Sequence, residues 1–210
     1  MQRYRSLPGK TNKNVKEIIH VSALGVSEHA PSEYLRSKYA GEQILEQFKG
    51  NSVILRPSVV FGPGDSFMNF FAKLQKYSPI MPMALTKTQF QPIYINDLIE
   101  IILRCVNMIK KKKIDTYECV GPEIFTLYEI IKFSGIYSGR KAMVIPLPKF
   151  IGLIQAFILE KMPGPTLMSR DNIASMSVPS IATKNKELVF QLEQPTSIHK
   201  VAPKFLSKGN

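Results

Sequence analysis

A strand, loop, helix and strand in the first sixty residues constrain the fold most. Residues 15–24, VKEIIHVSAL, carry a short β-branched apolar run that signals a strand. After Pro31 the spacing of apolar residues becomes helical, with Ser32 placed as the cap and Glu33 in the first turn. A second strand, SVILRP at 52–57, stops at Pro57 because proline has no N–H to give a ladder. Parallel neighbours need a crossover, and a crossover helix covers one face of the sheet. A β-α-β unit of this length therefore predicts a parallel sheet.

Further along, Gly62, Pro63, Gly64 and Asp65 mark a loop, and SFMNFFAKLQKY has apolar residues at helical spacing. The stripe Phe67, Phe70, Phe71 and Leu74 reads as a buried helix face. QPIYI at 91–95 reads as a strand, after which Asn96 caps a helix running from Asp97 to about Ile109. Lys110 to Lys113 then sit at the negative end of that helix's dipole, an ordinary place for solvated charge. YECVG at 117–121 is a strand, and Thr126 with Glu129 has the spacing of a capping box that opens a helix to about Tyr137. AMVIPLP at 142–148 is another strand. An apolar helix follows from about Lys149 to Met162, broken by Pro163, Gly164 and Pro165. A short helix is expected near Asp171 to Met176, and Thr196 and Ser197 cap a final one through Val201. The expected division is 1–115, a sheet core with a small insertion near 63–95, and 116–210, a small mixed α/β region.

With 44% hydrophobic and 21% charged residues in 210, the chain can bury a core. The net charge of +12 favours an anionic partner without choosing among nucleotide, membrane surface and acidic protein. The basic residues lie where solvated charge is ordinary, so nucleic acid is not an expected partner. Cys105 and Cys119 sit in apolar stretches without CxxC spacing and read as small buried hydrophobes in a reducing compartment. His20, His29 and His199 are scattered without ligand spacing, so no metal site is expected. MQRYRSLPGK lacks the apolar region of a signal peptide, and the stretch Phe150 to Leu159 is too short to span a bilayer.

Tyr34 and Lys38 carry the clearest chemistry. Four residues apart, they project from one helix face about a turn apart. A nearby ammonium stabilises a phenolate, bringing a phenol of ordinary pKa about 10 toward proton transfer at neutral pH. Such a pair alone is common on exposed helices. Here it stands within an ordered series: IIHVSALG, SEYLRSKYAGE, ILRPSVVFGPGDSFMNFFAKL, TQFQPIYINDLIEII and YECVGPEIFTLYEII.

That series resembles the extended and atypical short-chain dehydrogenases, in their NAD(P)-binding epimerase/dehydratase branch, over about Ile18 to Ile131. Within the branch it is most similar to the nucleotide-binding accessory subunits of respiratory complex I and their bacterial relatives. The resemblance implies an α/β fold: the C-terminal part of a Rossmann-like, doubly wound parallel sheet with a small α/β substrate region. It implies Tyr34 as catalytic acid/base where chemistry survives, with Lys38 binding the nicotinamide ribose and tuning Tyr34. Pro57 and Ser58 would pass the nicotinamide. Ser22 is the nearest match to the active-site hydroxyl residue, although Ala23 and Leu24 stand where active members carry further hydroxyls. Asp97 matches a position for which helix capping is explanation enough.

The implied cofactor is NAD or NADP, yet G-x-G-x-x-G does not occur in the sequence, and Gly62-Pro63-Gly64 is a turn. About 17 residues precede Ile18, whereas a β-α-β crossover needs about 30. The expectation is a truncated or split product that needs a polypeptide supplying the N-terminal half before it binds nucleotide. Two functions remain open. One is an accessory or assembly factor of the respiratory NADH:quinone oxidoreductase; the other is an NAD(P)-dependent sugar-nucleotide epimerase, dehydratase or reductase. The expected location is cytoplasmic or peripheral at the inner membrane.

Overall fold

The structure, a computed structural model, describes residues 15–109, 114–161, 168–185 and 187–207. In chain order the elements begin with β1 (Glu17–Val21), α1 (Glu33–Glu46), β2 (Asn51–Pro57), β3 (Val60–Phe61), α2 (Met68–Tyr77) and β4 (Ile80–Ala84). Next come β5 (Gln89–Phe90), β6 (Ile93–Tyr94), α3 (Ile95–Met108), β7 (Ile114–Cys119), β8 (Phe125–Thr126) and α4 (Leu127–Tyr137). The chain closes with β9 (Met143–Leu147), α5 (Lys149–Lys161), α6 (Arg170–Met176) and α7 (Ile198–Leu206).

The central sheet is parallel throughout, in the order β1-β2-β7. Side chains alternate across a strand, and each face of this sheet meets a different helix. Val53, Leu55 and Cys119, with Ile19 beside them, pack on Leu98, Ile101 and Cys105 of α3. On the other face His20 lies against Gly41 of α1, where an added Cβ would come within 3.3 Å of the imidazole. Arg56 reaches the same helix through a two-pronged pair with Glu42, Nε to Oε1 at 2.9 Å and an η-nitrogen to Oε2 at 2.6 Å. Helices on both faces make the sheet doubly wound, and they explain why four consecutive residues of β2, Ser52 to Leu55, are buried. Among the described residues, β1 has β2 as its one ladder partner.

A second core joins Phe71 of α2, Met81 and Met83 of β4, Leu127, Ile130 and Ile131 of α4, Ala156 of α5, Ile173 of α6 and Ile198 of α7. Beside it β4 and β9 form a parallel pair, and β5 and β8 an antiparallel one. Ser32 caps α1, accepting from Leu35 N at 3.2 Å, and Thr126 with Glu129 forms the expected capping box. Asp65 closes the Gly-Pro-Gly loop and feeds α2: its Oδ1 accepts from Phe67 N at 2.7 Å and Met68 N at 2.6 Å.

Four expectations shift. QPIYI contributes strand only at Ile93 and Tyr94, since Gln91 is turned to other work, its side chain bonding Gly121 O and Ala182 N. The following helix starts two residues sooner than an Asn96 cap would allow, with Tyr94 at the N-cap position and no side-chain cap bond. Asp97 is not a cap either: its carboxylate, buried, accepts from Thr196 N at 2.6 Å and Thr196 Oγ1 at 2.8 Å, tying down the C-terminal stretch. The last helix runs past Val201 to Leu206, because Ala202 and Leu206 continue its buried face. Lys110 to Lys113 and Pro163 to Pro165 lie outside the described residues. Among the described residues, no helix is long and apolar enough to cross a membrane.

Candidate active site at the carboxyl ends of the parallel strands

In open parallel sheets, ligands bind outside the carboxyl ends of the strands. Here β1 and β2 end together: Ser22 N donates to Leu55 O at 2.7 Å and Leu24 N to Pro57 O at 3.0 Å. Gly25 turns the chain away with φ of 77°, a left-handed conformation that favours glycine, and Val178 packs too near for a side chain there. Beyond these ends opens a cavity of about 920 Å³. Ser22, Tyr34, Lys38, Pro57 and Ser58 all line it, so the sheet and α1 bring together five residues spread over 37 positions of sequence.

Tyr34 and Lys38 face each other as the helical spacing requires, with Lys38 Nζ 5.9 Å from the centroid of the Tyr34 ring. The ammonium also donates to Val21 O at 3.1 Å, which fixes it against the end of β1. This positions a cation beside a phenol at the mouth of a cavity, an arrangement able to pass a proton to or from a bound oxygen. Behind it, burial, and secondarily the charge of Lys38, push the His20 imidazole below its usual pKa. His20 Nε2 and Ser22 Oγ are both buried without a hydrogen-bond partner among the described residues. Ser58 is differently placed: its hydroxyl donates to Ser180 O at 2.7 Å and lies 3.1 Å from Ser180 Oγ.

Sequence reasoning missed the other wall. Asp171 of α6 lines the cavity, and its two carboxylate oxygens accept from Glu33 N at 2.6 Å and Tyr34 N at 3.2 Å. A carboxylate is thus placed on the first turn of the helix that carries Tyr34, where the dipole favours negative charge. The spacing of 137 residues leaves no local signal for this contact. Phe67 and Phe70 were read as helix core; they are half-buried and, with Phe71, line the cavity. The cysteines are unpaired and buried, and desolvation pushes the Cys119 thiol up to about 12. His199 packs edge-on against Phe125 and Phe133 and shares a 2.6 Å hydrogen bond with the Tyr137 hydroxyl. Among the described residues, no group of acidic, His and Cys side chains is able to hold a metal ion.

Comparison with known proteins bears on the sequence and the fold. A family profile described as "Male sterility protein" matches residues 9–111. The chain is 32% identical over 152 residues to NADH dehydrogenase [ubiquinone] 1 alpha subcomplex subunit 9, mitochondrial, of Dictyostelium discoideum, an alignment covering 71% of this chain and 42% of that protein. The chain therefore spans less than half the length of that relative. Among solved structures, a nucleoside-diphosphate-sugar epimerase of Staphylococcus aureus superposes with a TM-score of 0.65 at 14% identity, over 92% of this chain and 65% of that one. A dTDP-4-dehydrorhamnose reductase of Bacillus anthracis, solved with NADP, gives 0.52 at 18% identity, over 76% and 64%. These two show the fold. By its matched residues the chain is similar to that family and to the respiratory subunit, and its doubly wound parallel sheet is the fold of the epimerase and the NADP-bound reductase.

Proposed function

We propose that this chain is the Tyr–Lys half of an accessory or assembly factor of a respiratory NADH:quinone oxidoreductase, and that it holds NAD(P) as a structural group. The observation that carries the reading is the contrast between two neighbours in one cavity. Lys38 is anchored at 3.1 Å on Val21 O, while the hydroxyl of Ser22 is sealed in protein without a partner among the described residues. A nucleotide-holding cation is kept, and a substrate-holding hydroxyl is not presented. The likeness to the Dictyostelium subunit supports the same direction.

The residues fit the nicotinamide end of the cofactor. Lys38 would hold the ribose, with Pro57 and Ser58 alongside the ring, and a bound cofactor would supply hydride chemistry. For the diphosphate these residues offer no G-x-G-x-x-G, so they account for the nicotinamide end alone. The net charge of +12 suits a peripheral seat at an anionic inner membrane. The intact Tyr34–Lys38 pair favours a second reading, an NAD(P)-dependent sugar-nucleotide epimerase, dehydratase or reductase.

Affinity purification of the tagged chain from its own cells separates the two. The accessory reading predicts recovery with NADH:quinone oxidoreductase subunits and no Tyr34-dependent turnover. NAD(P)-dependent turnover that disappears in Tyr34→Phe, without respiratory subunits, would overturn it.

A further inference from the structure

We infer that the cavity beside Tyr34 takes a long apolar chain capped by a single hydroxyl, carbonyl or carboxyl group, and not a sugar nucleotide; this rests on reading the Tyr34–Lys38 cavity as the ligand site. The far wall is aromatic and sulfur-rich: Phe67, Phe70, Phe71, Phe90, Met168 and Met176. The rings interlock, with centroids 5.3 Å apart for Phe67 and Phe71, 5.6 Å for Phe67 and Phe90, and 5.4 Å for Phe70 and Phe71. They form a fixed apolar surface, with methionines able to adapt to a flexible tail.

The polar side of the lining argues the same way. A sugar nucleotide brings two phosphate charges and a ring of hydroxyls, and burying these requires cations and matched donors. Among the described residues of the lining, Lys38 is the one cation, and it is already bonded to Val21 O. No arginine lines the cavity among those residues. Asp171, the one acid there, would repel phosphate and has both oxygens engaged by backbone N–H groups. The other polar groups of the lining, Ser58, Ser66, Asn172, Ser175 and Ser180, are neutral, so the positive charge offered to a ligand is that of Lys38 beside Tyr34, suited to one oxygenated head, and the tail has the aromatic wall.

The volume, about 920 Å³, lies within the range of small-molecule pockets and is ample for an extended alkyl chain. Full burial of a methylene tightens binding by about 4-fold, so chain length is the diagnostic variable.

The test uses the purified full chain with 11-(dansylamino)undecanoic acid as fluorescent probe. The probe is displaced by straight-chain acids and alcohols of six to twelve carbons, or by UDP-glucose. The expected result is displacement that strengthens at least 2-fold per methylene across the series, with UDP-glucose inert. Phe70→Asp should weaken probe binding more than 10-fold, Phe70→Leu should keep it, and thermal melting checks that each variant folds. Leu103→Asp, on the exposed face of α3, should leave binding unchanged, which distinguishes the cavity from surface adsorption. Chain-length independence, displacement by UDP-glucose, or loss of binding in Leu103→Asp but not Phe70→Asp would overturn the inference. None of these readouts depends on respiratory partners, so they stand or fall apart from the accessory reading.

Discussion

Ser22 and Lys38 show how two side chains in one lining can be set to different tasks. A buried hydroxyl without a partner forfeits its hydration and gains nothing in return. Ser22→Ala should leave stability unchanged or raise it by up to about 1 kcal/mol, read from the midpoint of urea unfolding; a loss of more than that would mean the hydroxyl has a partner in solution. His20 sets a pH dependence. Its folded pKa lies below the ordinary 6.5 because burial and Lys38 disfavour the imidazolium. Above pH 6.5 the folded and unfolded forms are both neutral and the full stability is present. As pH falls below 6.5 the unfolded state takes up the proton first, and stability declines until the folded pKa is passed. Urea midpoints between pH 8 and 5.5 should fall on the acid side, and by less in His20→Asn. An equal fall in that variant would assign the effect to other groups.

At the scale of elements, the legible parts were those whose signal is local. The strand at Ile18 to Val21, the Ser32 cap and the strand ending at Pro57 each follow from a few neighbouring residues, and together they place Tyr34, Lys38, Pro57 and Ser58. What the sequence did not reveal came from distant chain. The Asp97 carboxylate looked like a cap because it follows Asn96, yet Thr196 claims it from 99 residues away. Phe67 and Phe70 looked like core because helical spacing does not distinguish a packed wall from a cavity wall. Asp171 was placed in a short helix and given no role, since its partners, Glu33 N and Tyr34 N, belong to a different element. That contact makes α6 a support for α1. Asp171→Ala should cost about 1 kcal/mol, the usual worth of a helix-terminus acceptor, and should speed amide exchange at Glu33 and Tyr34 more than at Leu35, whose N–H is held by Ser32. Uniform exchange across α1 would show that α6 does not bear on it.

The whole molecule combines a cavity at the strand ends with surfaces that remain apolar. On α3, Ile99, Leu103 and Val106 are exposed along one face, and on α5 so are Phe150, Ile154, Phe157 and Ile158. Patches of this kind mark contact with another protein or a membrane, which fits a chain proposed to work inside a larger assembly. The central proposal is narrower: the strand ends and α1 would form the nicotinamide end of a dinucleotide site. That end can be tested without the diphosphate cradle by offering each half of the cofactor separately. Saturation-transfer NMR with the purified chain should show nicotinamide mononucleotide bound weakly, its nicotinamide protons receiving saturation, with the signal lost in Lys38→Met and no signal from AMP. Binding of AMP but not of nicotinamide mononucleotide, or binding that survives Lys38→Met, would contradict the account.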